Sequence, residues 1–266
     1  MIFFVRLISK SQYNSAMKNS FLASLVLSMS LLSSPVLSQT EEDSELLGLP
    51  GDYLDLFAVL DLFQKSPTIE DFEKSLNQEE TGVNNLDLNL DDKVDFIKVV
   101  TEQDGDDFIF ILQVDVSETE IQDVAVILVA KDEDGKVTMQ IVGDKDLYGE
   151  NYVVEPAPVV TANPGYTGTE PVTTTTETTT VVVVESTTIV QYVYSPVYVP
   201  YYTPYYYAYY PPYYRPYPVV IVSVYRRHHY HHHHRYHGGH HYRHTAAVHS
   251  RHHYNNYNRA RHTSNT

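Results

Sequence analysis

The chain has 266 residues with a net charge of −16, 24 tyrosines, no cysteine and no tryptophan. The lack of cysteine excludes disulfide scaffolds, zinc-thiolate sites, cysteine nucleophiles and lipid attachment through cysteine. Apolar patterning that could build a core is confined to roughly residues 50–155, so one domain is predicted although this length could hold two.

The charge is divided between two halves of the chain. Residues 41–160 hold 31 acidic residues against seven lysines and no arginine, a balance of −24. Residues 186–266 hold eight arginines, no lysine and no acidic residue. This split indicates an acidic domain and a basic tail with separate roles, which attract each other at low ionic strength.

Residues 1–38 have the pattern of an export signal. Lys18 precedes an apolar run, and Val36 and Ser38 lie where a signal peptidase requires small residues. The run is well short of the ~20 residues that span a bilayer, which disfavours a retained membrane anchor. We predict a signal core at residues 17–38 with cleavage after Ser38, residues 1–16 being an upstream extension from a misassigned start. The mature chain is expected in the periplasm or at the cell surface, with no transmembrane span.

Residues 45–157 form the predicted acidic domain, which begins with two helices. The first has Asp52 as its N-cap, and its apolar residues recur at helical spacing: Leu56, Val59, Leu60 and Phe63. The second is capped by Thr68, with Asp71 completing a capping box, and has a stripe of Ile69, Phe72 and Leu76.

Strands follow the helices, because the apolar period changes from 3.6 to 2. They are predicted at residues 96–101, 107–116, 122–131 and from Val137 onward, with an optional short strand at residues 152–154. The fold class is therefore α+β: two N-terminal helices packed on one face of a four-stranded antiparallel meander, followed by a disordered low-complexity tail.

The loop between helices and sheet, DLNLDDKVD at residues 87–95, places oxygen-bearing side chains at alternating positions. Calcium takes six to eight oxygen ligands, which predicts a site formed by Asp87, Asn89, Asp91, the Lys93 carbonyl and Asp95. The pattern resembles the DxNxDGxxD loops of EF-hands, dockerins and integrin-type β-propeller repeats, and the propeller loops are nearest. Asp92 replaces the usual glycine and Lys98 the closing glutamate, so the alternative is a solvated acidic turn without an ion.

The domain has no pattern typical of an enzyme. All 14 histidines lie at residues 228–262, and residues 39–157 contain no arginine, no glycine-rich phosphate loop and no nucleophile elbow. We predict that the protein is not an enzyme.

The tail has three parts of biased composition. Residues 158–191 are a Thr/Val/Pro linker too poor in apolar variety to form a core. Residues 192–225 are rich in Tyr and Pro, which predicts an extended, polyproline-like segment. Its tyrosine rings suit stacking, adhesion or oxidative cross-linking, and the alternative is a disordered spacer. The last seven residues, VVIVSVY, are a β-prone patch. Residues 226–266 are rich in His, Arg and Tyr.

Two binding chemistries are predicted for residues 226–266. Dense imidazoles bind zinc, copper or nickel, and the candidate ligands are His228, His229, His231, His232, His233, His234, His237, His240, His241 and His244. Arginines interleaved with tyrosines bind polyanions, and the candidates are Arg226, Arg227, Arg235, Arg243, Arg251, Arg259 and Arg261. For an exported chain, anionic envelope polymers are favoured over nucleic acid, for which no specific binding is predicted. A solubilising extension without a partner is the remaining alternative.

The segments PGDYLDLFAVLDLFQKSPTIEDFEKSLN and DLYGENYVVEP, with the Tyr/His-rich tail, resemble a group of uncharacterised secreted bacterial proteins. That resemblance supports the boundaries above and implies no activity. The function predicted from sequence is an exported, non-enzymatic cell-envelope protein whose acidic interaction domain carries a basic tail that contacts anionic surface polymers. The alternative is a transition-metal-binding protein acting through the histidine tail, with structural calcium in the domain loop.

Overall fold

The computed structural model describes residues 46–156, 184, 186–237, 242–245, 247–248, 254–255 and 257, without the side chains of residues 230–237. The predicted export signal and most of the predicted linker lie outside these residues. Among the helices that are described, none is both long and apolar enough to cross a membrane.

Two helices open the domain, after a short 3-10 turn at Pro50–Tyr53. Helix α1 spans Leu56–Lys65 and helix α2 spans Ile69–Leu76. The cap predicted for α2 is confirmed: Thr68 accepts a hydrogen bond from the Asp71 amide at 3.0 Å and donates one to its carboxylate at 2.8 Å. The cap predicted for α1 is wrong. Asp55 accepts from the Phe57 amide at 2.9 Å, whereas Asp52 lies in the 3-10 turn.

The sheet is antiparallel, which confirms the α+β class, but it has six strands. These are β1 Ile97–Asp104, β2 Asp107–Asp115, β3 Ile121–Lys131, β4 Val137–Gly143, β5 Val153–Pro156 and β6 Tyr242–Thr245, hydrogen-bonded in that order. The predicted number of four is wrong for two reasons. The optional strand β5 forms, and the tail supplies β6, which pairs Pro156 with Tyr242 and Val153 with Thr245.

The main core lies between the sheet and the helices. Phe63 of α1 contacts Phe72 of α2 and Phe110 of β2, both with ring centroids 5.1 Å away, and all three side chains are fully buried. The opposite face of the sheet is also buried, and Ile109, Ile111 and other alternate residues pack there with Tyr257 of the tail. Burial on both faces explains the nearly continuous apolar runs of β2 and β3.

Part of the predicted linker belongs to the main core. Helix α3 spans Lys145–Tyr148, and the next helix in the chain, α4, spans Thr188–Val193. Val184 is buried, and Ile189 and Val190 of α4 are 0 % and 2 % exposed. The prediction that residues 158–191 could not form a core is therefore wrong for these positions. Short β-branched side chains suffice here because α1 and the sheet supply the larger ones.

Residues 194–221, which we call the strap, run over the domain without forming a helix or a strand of the sheet. Tyr202 forms an isolated antiparallel bridge with Val100, so the strap covers the outer edge of β1. Pro200 and Pro204 stand on either side of this bridge and lack the amide that would extend the pairing. Prediction of a disordered tail fails for the strap because its tyrosines are anchored to the domain, as described below.

Helix α5 spans Val222–His237, and it replaces the β-prone patch and the start of the disordered tail predicted there. Its first turns contact the domain through Tyr225, whose hydroxyl donates to the Val83 carbonyl at 2.7 Å and accepts from the Asp55 amide at 2.9 Å. Burial of this ring favours a helix here, and it outweighs the β-propensity from which a strand-forming patch was predicted. The predicted disorder of residues beyond 257 lies outside the described part of the chain.

Candidate functional site

The loop at residues 87–95 is built from side-chain acceptors that bind its own backbone. Asp87 accepts from the amides of Asp91 and Asp92, at 3.1 and 2.9 Å. The Asn89 side-chain oxygen accepts from the Asp91 amide at 3.0 Å, and Asp91 accepts from the Lys93 amide at 3.0 Å. These bonds close a chain of Asx turns, the arrangement that short polar residues favour in loops.

Asp92 makes the sharp bend that glycine makes in the calcium loops that this loop resembles. It has φ 63°, and Leu90 two residues earlier has φ 60°. Both values lie in the left-handed region, which aspartate tolerates better than leucine does. The departure from the glycine pattern at Asp92 therefore does not prevent the turn.

Asp95 is the inward-facing member of the loop, with only 7 % of its surface exposed. Its carboxylate accepts a hydrogen bond from the Leu88 amide at 2.6 Å. Burial, the largest cause, and the charges of Asp87 and Asp91 together raise the pKa of Asp95 to about 6, although hydrogen bonds from the Leu88 and Asn89 amides lower it in part. Asp95 thus ties the loop to the domain, whereas Asp91 is exposed.

The strap holds the other side of this loop. The Val94 amide donates to the Tyr217 carbonyl at 2.8 Å, and the Val219 amide donates to the Asp92 carbonyl at 3.3 Å. These bonds flank the Lys93 carbonyl that the sequence predicts as a ligand. Within the described residues, no three His, Asp or Glu side chains are grouped so that they could hold a metal ion. Calcium binding at Asp87, Asn89, Asp91, Lys93 and Asp95 stays a prediction.

Three of the predicted histidine ligands have described side chains, and they are not grouped with each other or with carboxylates into a metal site. His229 is 3 % exposed and its Nε2 lies 2.7 Å from the Gly82 carbonyl oxygen, while His228 beside it is exposed. His244 lies in β6, and burial lowers its pKa. The remaining candidates lie outside the described side chains: His231, His232, His233, His234, His237, His240 and His241.

Two of the predicted polyanion-binding arginines pair with the domain. Arg226 contacts Asp52 at 2.9 Å, and the Arg243 Nε donates to Glu155 at 2.6 Å. Arg227 is exposed. The side chains of Arg235, Arg251, Arg259 and Arg261 lie outside the described part of the chain. Attraction between the acidic domain and the basic tail therefore acts within one molecule.

Tyrosine hydroxyls of the tail, which the sequence analysis did not identify as anchors, fasten it to the domain. Tyr214 donates to the Val94 carbonyl, Tyr217 donates to the Asn84 carbonyl at 3.0 Å, and Tyr194 donates to the Asp106 carbonyl at 2.6 Å. Tyrosine suits this role because its ring buries apolar area while its hydroxyl satisfies a carbonyl that would otherwise need water.

Glu73 is the buried anchor for the same strap. It is fully buried in α2, where one carboxylate oxygen accepts from the Val99 amide at 2.7 Å. The other accepts from Tyr201 at 2.7 Å and from Thr203 at 3.2 Å. Burial raises the pKa of Glu73, and these hydrogen bonds lower it in part. The sequence held a signal for this residue, since Glu73 falls on the apolar stripe of Ile69, Phe72 and Leu76.

A cavity of about 380 Å³ lies where β3 begins and β4 ends, and its lining includes four acidic residues. Asp123, Asp144, Asp146 and Glu150 line it together with Tyr257. The Tyr257 hydroxyl donates to Asp123, whose other oxygen accepts from Gln113 at 2.7 Å. The carboxylates of Asp123 and Asp144 thus bind groups of the protein itself, and Tyr257 places the cavity between the sheet and the tail.

No family model, curated protein or solved structure matches this chain. Function is therefore inferred from the residues of the chain and their contacts.

Proposed function

We propose that the protein is an exported, non-enzymatic component of the cell envelope, whose acidic domain is a structural and interaction module and whose basic tail contacts anionic surface polymers. The observation that carries this proposal is the docking of α5 on the domain. The helix holds no acidic residue and is fastened by its first turns, so the domain supports a cationic segment against which a polyanion could bind.

The contacts of α5 divide its first residues into two groups. Tyr225 and His229, one helical turn apart, are buried against the domain at 3 % exposure each. Arg227 and His228 between them are exposed. Arg226 neutralises Asp52, which lowers the negative potential beside the helix. A polyanion approaching this surface would therefore meet Arg227 before the acidic domain repels it.

Polymer binding tests the proposal directly. We expect the full chain to bind inorganic polyphosphate and alginate with an affinity that falls steeply with salt and is unchanged by a chelator. Arg227→Gln should weaken binding at low salt without lowering the melting temperature, since the side chain is exposed. Asn255→Gln is the matched control, a neutral substitution at another exposed position of the tail, and should have no effect. Binding that resists salt and is lost with the chelator contradicts the proposal.

The transition-metal alternative keeps a separate test. It requires saturable uptake of zinc or copper that disappears when residues 226–262 are removed. His229 and His244 are engaged in packing, which leaves this function to His228 and to the histidines whose side chains are not described. Unaltered metal uptake after the deletion would remove the alternative.

Structural calcium in the domain loop is tested by thermal unfolding. A bound ion must raise the melting temperature with concentration, and Asp91→Asn should abolish the rise because Asp91 is an exposed predicted ligand. A melting temperature that millimolar calcium leaves unchanged makes the loop an ordinary acidic turn.

A further inference from the structure

The strap presents a second class of tyrosines that point away from the domain. Tyr202 is 73 % exposed, Tyr206 is 62 % exposed and Tyr209 is 51 % exposed. Hydrogen bonds to the domain engage Tyr201, Tyr214 and Tyr217, but no contact between described residues engages the hydroxyls of Tyr206 and Tyr209. These outward rings contribute little to holding the strap and are open to reagents in solution.

Tyr206 and Tyr209 are held face to face by the backbone. Each donates its amide to the carbonyl of the other, at 3.2 and 2.8 Å, which closes a tight turn through Tyr207 and Ala208. Directly opposed residues of an antiparallel pair project their side chains to the same side. Their ring centroids are accordingly 4.9 Å apart with the planes inclined by only 26°. The pair is thus preorganised by the turn.

The rest of the chain offers few thiol, thioether or indole groups that would compete with tyrosine for an oxidant. Cysteine and tryptophan are absent from the whole sequence, and there are four methionines. Met1, Met17 and Met29 precede the predicted cleavage site, and Met139 is only 2 % exposed. Susceptibility to oxidation follows exposure, so an oxidant acting on this protein meets accessible phenols first.

We propose that Tyr206 and Tyr209 form a modification site at which oxidation joins their two rings as dityrosine. The oxidant is hydrogen peroxide used by a haem peroxidase. Each phenol loses one electron and one proton to give a tyrosyl radical, and the two radicals couple through a carbon–carbon bond ortho to each hydroxyl. Both rings regain aromaticity when the ring hydrogens move to the oxygens. Overall, two hydrogens leave the pair and one peroxide molecule is reduced to two of water.

The test is oxidation of the full chain at low protein concentration with a haem peroxidase and hydrogen peroxide. We expect dityrosine fluorescence, a protein that remains monomeric on a denaturing gel, and a Tyr206–Tyr209 product that mass spectrometry finds lighter by two hydrogens. Tyr206→Phe should abolish this product and lower the fluorescence several-fold. Tyr202→Phe removes an even more exposed ring from the same strap and should leave both readouts unchanged.

A second pair of variants keeps both tyrosines and alters only the turn. Ala208 has φ 60°, which proline cannot adopt because its ring fixes φ near −65°. Ala208→Pro should therefore separate the rings and remove the Tyr206–Tyr209 product. Ala208→Gly tolerates the same φ and should retain it. Cross-links spread over many tyrosines, or a yield that Ala208→Pro leaves unchanged, would overturn the proposal.

Discussion

The sheet and the strap are ordered by different means. The sheet buries apolar side chains on both faces and satisfies its backbone through its neighbours, so each residue is supported by many others. The strap has no such ladder, and separate tyrosine and threonine hydroxyls fix it to Glu73, Val94 and Asn84. Order in the core is therefore collective, whereas order in the strap depends on a few attachments that can be removed one at a time.

The largest effect is expected in the core. Phe110→Ala removes a fully buried ring that contacts Phe63, and should lower the free energy of unfolding by about 3–5 kcal/mol. Ile121→Ala is the control, since this β3 residue is 56 % exposed, and should change it by less than about 0.5 kcal/mol. Urea unfolding of both variants measures the difference. Equal losses would contradict the assignment of the core to this face.

A pH effect comes next, and it concerns the junction of loop and domain. The pKa of Asp95 is raised to about 6 from 3.8, so the folded protein holds this proton more tightly than the unfolded chain. The resulting stabilisation of the folded protein is complete below about pH 3.8 and is lost as the pH rises through about 6. For Asp95 alone the loss amounts to at most about 3 kcal/mol. Glu73, whose pKa is also raised, acts in the same direction.

Urea midpoints at pH 5 and pH 7 check this effect. Other ionisable groups such as Glu73 also contribute to the pH dependence, so the decisive quantity is the difference between the wild type and Asp95→Asn. Asparagine keeps an oxygen for the Leu88 amide but does not ionise. The variant should lose less stability than the wild type between the two pH values, and equal losses would show that Asp95 does not carry the effect.

A smaller, local effect is expected in the strap. Tyr214→Phe keeps the ring contact with Phe96 but leaves the Val94 carbonyl without its donor, which should cost about 1–2 kcal/mol. Because Tyr214 is one of several separate attachments, its loss should loosen the strap only locally. Chymotrypsin should then cut the strap faster, while the urea midpoint of the sheet hardly changes. Tyr202→Phe is the exposed control. Loss of global stability equal to the local loss would make the strap part of the core.

The smallest effect concerns the tail's ion pairs. Arg226→Gln should lower stability by about 0.5–1 kcal/mol at low salt, because the Arg226 side chain is 29 % exposed and the pair with Asp52 is partly screened. The loss should shrink as salt is added. Arg227→Gln, which changes an exposed charge, is the comparison. A loss that is independent of salt would indicate packing of the arginine stem instead of charge.

Sequence reasoning succeeded where periodicity carries the information. The helices with Phe63 and Phe72 and the meander through Phe110 follow from apolar spacing, and the α+β class follows from them. The strap has no period, because its attachments pair tyrosine hydroxyls with carbonyls far away in the chain, as Tyr217 does with Asn84. A low-complexity composition is compatible with either outcome, since the deciding partners belong to the folded domain.

The loop at residues 87–95 was likewise predictable from the sequence only in part. The spacing of its polar residues predicts calcium ligands, which stays a prediction; in the structure Asp87, Asn89 and Asp91 accept the backbone amides of the loop. Burial of Asp95, however, depends on how the loop packs, which spacing along the chain does not encode. Attachment of the loop to the strap at Tyr217 was likewise invisible in the sequence, because it joins two backbones and requires no particular side chain.

The bridge between Val100 and Tyr202 has a consequence for biosynthesis. Strand β1 can pair with β2 as soon as their hairpin is made, but its outer edge is covered only when the strap has been synthesised. Until then the nascent domain displays an unpaired edge, the feature through which partly made β proteins associate with one another. Synthesis of the strap therefore closes a period of vulnerability, during which a holding chaperone would protect the incomplete chain.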